Sequence, residues 1–122
     1  MGGLRVEDGR IDLKKYGLFP IVSMARTLCV RHGLAMHATS ERLEALARTV
    51  GSAPELDAFA QDHAVMMAAL LRQQASDVEA GLKPSNRLDP KLLAKDELDR
   101  LRGALRHVRS IPDLLRNLMF AS

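Results

Sequence analysis

Tryptophan is absent from the 122 residues, and the other aromatics amount to one Tyr and three Phe. Sandwiches and barrels draw on aromatic and β-branched side chains. This scarcity, beside plentiful Leu and Ala and six Met, therefore favours helices. Cysteine occurs once, at Cys29, which excludes an internal disulfide and leaves the thiol as a small core group on an apolar helix face. There is no apolar signal core at the N-terminus and no run long enough to span a bilayer, so a cytoplasmic protein with no membrane partner is expected. Neither sign of charge dominates: 18 basic and 15 acidic side chains give +3, too mild an excess to indicate nucleic acid by itself.

What is present is helical periodicity. Residues 1–9 are Gly-rich and polar and read as a fraying end. Residues 10–13 read as a strand whose partners lie outside the chain, so residues 1–13 are expected to be the remnant of an upstream domain and 14–122 a helical domain. A Gly turn at Gly17 then leads to Pro20 in the first turn of helix 1, residues 20–32, with Ile21, Met24, Ala25, Leu28 and Cys29 on one face and Gly33 as its stop. Thr39 or Ser40 is expected to cap helix 2, with Glu41 in its first turn, Leu43, Leu46, Ala47 and Val50 inward, and Gly51 at its end.

Ser52 and Glu55 have capping-box spacing ahead of a helix running to Ala80 and stopped by Gly81, about 39 Å long at 1.5 Å per residue. Its expected stripe includes Leu56, Phe59, His63, Met66, Leu70, Leu71, Gln74 and Val78. Residues 82–89 read as a turn-rich loop ending in the cap-and-proline pair Asp89-Pro90, followed by one helical turn. Helix 4 begins near Lys95 and carries the seam Leu98, Leu101, Leu105 and Val108 until Pro112 imposes a break. Ser110 can then cap a last segment, with Leu115, Leu118 and Met119 continuing the apolar face. The sum is an all-α fold, an antiparallel bundle of four to five helices around a long central one, with a short N-terminal extended segment.

The chemistry is sparse. Polymerase-β-type nucleotidyl transfer needs a Gly-Ser turn and a strand-borne carboxylate pair to hold metal against phosphates. Gly51-Ser52 and Asp77-Val-Glu79 offer these only superficially. On a helix the two carboxylates point about 200° apart, so the pair reads as a solvated face. His32, His37, His63 and His107 lack metal-ligand spacing, and His63 reads as a partly buried seam residue. Arg102 and His107 have the Arg-x-x-x-x-His spacing of HEPN-type helical ribonucleases, with Gly103 where those enzymes usually carry a polar residue.

Several motifs occur together in order: Lys14, Gly17-Leu-Phe-Pro-Ile21 and Ala25-Arg26; Thr39-Ser-Glu-Arg42-Leu43; Leu71-Arg72-Gln-Gln74; and Gly81-Leu-Lys-Pro84-Ser-Asn86-Arg-Leu-Asp89-Pro90. Through them the chain after Gly9 resembles the nucleotidyltransferase substrate-binding domain, the helical C-terminal part of bacterial signalling nucleotidyltransferases often joined to CBS and cyclic-nucleotide-binding domains. It departs from that pattern at Ile111-Pro112, where many members carry a Gln.

The resemblance implies a non-catalytic module that helps form the nucleotide or acceptor cleft of a uridylyltransferase-like protein, with no activity from this chain alone. It implies an upstream nucleotidyltransferase domain as partner, a nucleotide or protein acceptor, and a homo-oligomer as a further option. Mg²⁺ and a nucleoside triphosphate are implied for the whole protein, and no cofactor for this chain. The expected binding groups are Lys14, Arg26, Thr39, Arg42, Arg72 and Asn86, cations and hydrogen-bonding groups suited to phosphate or an acidic patch. The alternatives are a HEPN-type ribonuclease and an interaction bundle without a ligand.

Overall fold

The computed structural model describes residues 6–50 and 53–120. Five α-helices are present among them: α1 (Phe19–Arg31), α2 (Thr39–Thr49), α3 (Ala53–Glu79), α4 (Lys95–Val108) and α5 (Ile111–Phe120). Three short strands, β1 (Val6–Glu7), β2 (Arg10–Asp12) and β3 (Arg87–Leu88), form one antiparallel sheet in that order. The expected all-α bundle around a long helix is therefore observed. At 27 residues, α3 is about 40 Å long. It packs against α2 and α4, while α1 packs against α2 and α5.

The strand at residues 10–12 finds its partners inside the chain, contrary to the expectation that they lie elsewhere. β1 and β2 form a hairpin pairing Val6 with Ile11 and Glu7 with Arg10. The two residues between them, Asp8 and Gly9, have φ of 53° and 75°. Positive φ at both central positions is what a type I′ hairpin turn requires, and Asp-Gly supplies it at low cost. On its other edge β2 pairs with β3, Ile11 opposite Leu88, inside the stretch expected to be loop alone. Ile11, Leu13 and Leu88 are fully buried, so the sheet is fastened to the bundle by one apolar face.

Helix 1 also starts differently. Gly17 is not a turn: residues 14–18 form a π-helical stretch that runs directly into α1. The Phe19 N–H donates to the Lys14 carbonyl, five residues back. Pro20 has no N–H and its ring would crowd the carbonyl four residues earlier. A widened turn ahead of it accommodates both facts. Gly17 is needed for close approach instead. A Cβ there would collide with the Met66 sulfur and lie 3.0 Å from Leu105 Cδ2.

Smaller corrections follow the same logic. The N-cap of α2 is Ala38 and no side chain caps it, so Thr39 is the first helical residue. Ser110 does not cap α5; its hydroxyl donates to the His107 carbonyl (2.7 Å) at the end of α4. The expected break near Pro112 does occur, with α4 ending at Val108 and α5 starting at Ile111. Asp89 caps the 3₁₀ turn Pro90–Leu92 through the Lys91 N–H (3.0 Å), as expected. Gly51, the assigned stop, and Ser52 of the Ser52–Glu55 box lie outside the described residues, while Glu55 is in the first turn of α3.

The inward face of α3 departs most. Leu56, Phe59, Met66 and Leu70 are buried as expected, but Leu71 and Val78 are 57% and 62% exposed. Gln73 and Asp77 take the core positions instead, 2% and 3% exposed. Asp77 is thus no solvated residue, while Glu79 is exposed.

Candidate functional site

The buried pair on α3 shapes the site. Asp77 Oδ1 accepts from Gln73 Nε2 (2.8 Å) and Asp77 Oδ2 from the Ser85 N–H (2.9 Å). Gln73 Oε1 accepts from the Asp89 N–H (2.8 Å). Both side chains therefore satisfy backbone donors of the connection that follows α3, at two points four residues apart. The connection leaves α3 through Gly81, φ 73°. There the Gly81 N–H donates to Val78 (3.0 Å) and the Leu82 N–H to Asp77 (2.7 Å), the paired bonds of a Schellman ending. Ser85 Oγ accepts from the Arg87 N–H (2.9 Å), and the Asn86 carbonyl accepts from the Leu13 N–H (3.2 Å). Residues 85–89 are pinned from within, between α3 and β2.

This pinned segment forms one bank of a groove, and the π-helical stretch forms the other. Two adjoining hollows share Lys14, Phe19 and Asn86. The first, of about 410 Å³, is rimmed by Lys15 and Arg87, with Asp12 and Ser85 beside them. Three cations thus face one carboxylate, and Asp12 already accepts from the Lys15 N–H (3.0 Å). The second hollow, of about 350 Å³, is apolar, walled by Val22, Met67 and Leu70, with His63 among them. Phe19 stands between the two, 61% exposed. His63 is half-buried, and that burial holds its imidazole below the ordinary 6.5, so the ring is neutral at pH 7. Its side chain makes no hydrogen bond among the described residues.

The expected binding residues divide among several places. Lys14 and Asn86 meet in this groove, drawn together from positions 72 residues apart by the β2–β3 pairing. Arg26 is exposed on α1, one turn beyond Val22 of the groove wall. Arg42 lies on α2, where its Nε donates to the Met36 carbonyl (2.9 Å) and ties down the α1–α2 connector. Thr39 is the first residue of α2 and lines neither hollow. Arg72 faces a separate hollow between α3 and α4, where its Nη1 donates to both oxygens of Glu97 (2.9 Å each). That pair, with the Ala94 N–H foremost, holds the Glu97 carboxyl below its ordinary value.

Lys15, Phe19, His63 and Arg87 also line the groove, and the sequence alone does not single them out as ligand groups. Arg87 and Phe19 sit inside the two recognised motifs, a signal that proximity to Asn86 and Lys14 could have promoted.

The ribonuclease arrangement does not form. Arg102 pairs with Asp99 (3.1 Å), whereas His107 stacks on Phe59 (ring centroids 4.0 Å apart, 8° between planes) and bonds Asp62 (2.6 Å). Burial raises the Asp62 carboxyl above its ordinary value, opposed by the His107 bond. Burial likewise pushes the Cys29 thiol up, opposed by Arg42. Among the described residues no three His, Cys, Asp or Glu side chains converge, so they do not fit a metal ion. Both Asp77 oxygens are already engaged. No described helix is long and apolar enough to cross a membrane.

A family model described as "Putative nucleotidyltransferase substrate binding domain" matches residues 1–118. No curated protein and no solved structure matches the chain.

Proposed function

The chain belongs to the nucleotidyltransferase substrate-binding domain family, and on that premise we propose that it holds substrate for a nucleotidyltransferase domain through the groove between residues 14–19 and 85–87. In this reading the chain is non-catalytic. The partner domain carries the carboxylates and the Mg²⁺ that activate a nucleoside triphosphate, and this module closes one side of the nucleotide or acceptor cleft. The transfer served is a regulatory one of the uridylyl type, in a cytoplasmic bacterial signalling protein, with a nucleotide or protein as acceptor.

One observation carries the reading: Lys14, Lys15 and Arg87 converge on a single concavity whose far bank is fixed by a buried Gln–Asp pair. Ammonium and guanidinium groups held this way suit phosphate, because the bank is ordered before the ligand arrives. Titration of the chain with UTP tests it. Lys14→Glu and Arg87→Glu should each weaken binding about tenfold or more, the scale of removing one charge-assisted hydrogen bond, and rising salt should weaken binding by the unsubstituted chain too. Absence of binding, or binding indifferent to both substitutions, overturns the proposal.

A further inference from the structure

We propose that the apolar half of this groove is a nucleobase subsite in which the base lies on the Phe19 ring and its polar edge meets His63. The inference rests on the phosphate-binding reading of the cationic half and narrows the ligand to a nucleoside phosphate.

The argument starts from Phe19. The core face of α1 is Ile21, Met24, Ala25, Leu28 and Cys29, all buried, so the helix does not need Phe19 for packing. A largely exposed aromatic ring is nonetheless placed at the junction of the two hollows, beside Lys14. A ring so placed offers a flat apolar face to a stacking partner. An acidic peptide would satisfy the cations equally well but brings no flat surface to cover the ring.

His63 supplies the second half. It projects from α3 into the hollow whose other walls are Val22, Met67 and Leu70, and its ring has no hydrogen-bond partner among the described residues. A neutral imidazole carries one donor and one acceptor, and a base edge carries both complements. Lys14 and Asn86 are the polar groups opposite it, and neither introduces a carboxylate that would hold the imidazole charged. Since both hollows share Lys14, Phe19 and Asn86, a ligand with its phosphates at the cationic rim extends directly into the apolar half.

The test compares UTP and ATP with inorganic triphosphate, by calorimetric titration of the chain and of Phe19→Ala and His63→Leu. Phe19 is exposed, so its replacement leaves the fold intact. Leu at position 63 keeps the wall filled, and a melting curve for each variant verifies this. The nucleotides should bind at least about tenfold more tightly than triphosphate, and each variant should lose much of that margin while binding triphosphate as before. If nucleotide and triphosphate bind equally, or the variants weaken both alike, the base subsite is refuted and the phosphate reading stands. If neither the nucleotides nor triphosphate bind, both fall together.

Discussion

The two halves of α3 present the same face to the core and fill it with different chemistry. Up to Leu70 that face is apolar except for the half-buried His63: Leu56, Phe59 and Met66 are buried to within 1% exposure, and Phe59 stacks on His107 of α4. Beyond Leu70 the face continues with Gln73 and Asp77, equally inaccessible and wholly polar. The first half joins helix to helix, where non-directional burial suffices. The second joins a helix to a connection that has no helical bonds of its own, and its backbone N–H groups need named acceptors. The polar half pins the bank of the groove that carries Asn86 and Arg87, so α3 changes from apolar to directional contacts where position matters more than adhesion.

The comparison can be broken by substitution in each half, and the larger effect belongs to the apolar one. Phe59→Ala removes a nearly inaccessible ring and leaves a cavity against His107, so chemical denaturation should show a loss of about 4 kcal/mol. The fraction still folded should bind UTP as before, because Phe59 lines neither hollow and bonds nothing in residues 85–89. Asp77→Ala leaves two donors, the buried Gln73 Nε2 and the partly buried Ser85 N–H, without an acceptor. Its cost should be about 3 kcal/mol. Here the folded fraction should bind poorly, and amide exchange at Ser85 and Asp89 should accelerate selectively. Equal ligand affinity in the two folded variants would show that the polar half does not shape the groove.

The same contrast explains what could be read without coordinates. The core face of α3 follows a steady alternation of three and four: Leu56, Phe59, His63, Met66, Leu70, Gln73, Asp77. The expected stripe ends instead on Leu71, Gln74 and Val78, equally regular in spacing and one residue out of phase, because what fixes the phase is the partners of Gln73 and Asp77. Those partners are backbone groups of residues 85 and 89, which no periodicity reports. The Asp-Gly hairpin at residues 8–9 is legible as a dipeptide but easily passed over, since two-residue strands give almost no alternation. Gly17 shows the reverse case: a glycine that looks like a turn is explained by Met66 and Leu105, residues far away in the chain. The long helix, the Gly81 stop, the Asp89 cap and the break near Pro112 are all local and all readable. For the groove, Lys14 and Asn86 stand out by motif. Their meeting depends on the pairing of β2 with β3, which no local signal announces.

The smallest expected effect concerns His63, which lies in the first half of α3 and lines the groove. Burial holds its folded-state pKa below 6.5, while the unfolded chain keeps the ordinary value. Between those two values the unfolded state binds more protons than the folded one, so stability rises with pH through the window. Above 6.5 the residue contributes no slope, and below its folded value the loss is complete. Asp62 and Glu97 act nearer their ordinary carboxylate values, 3.8 and 4.5, and with opposite signs. The raised Asp62 loses stability as pH rises through its window, whereas the lowered Glu97 gains it. The upper edge of the His63 window is therefore separable. Denaturation of the unsubstituted chain and of His63→Leu between pH 8 and 5 should give curves that are parallel above 6.5 and diverge below it, with the unsubstituted chain losing stability relative to the variant. The effect is modest because His63 keeps part of its surface in water. Parallel curves across the whole range would mean that the imidazole is as well hydrated as in the unfolded chain. The neutral, partly desolvated ring facing the groove would then be wrong.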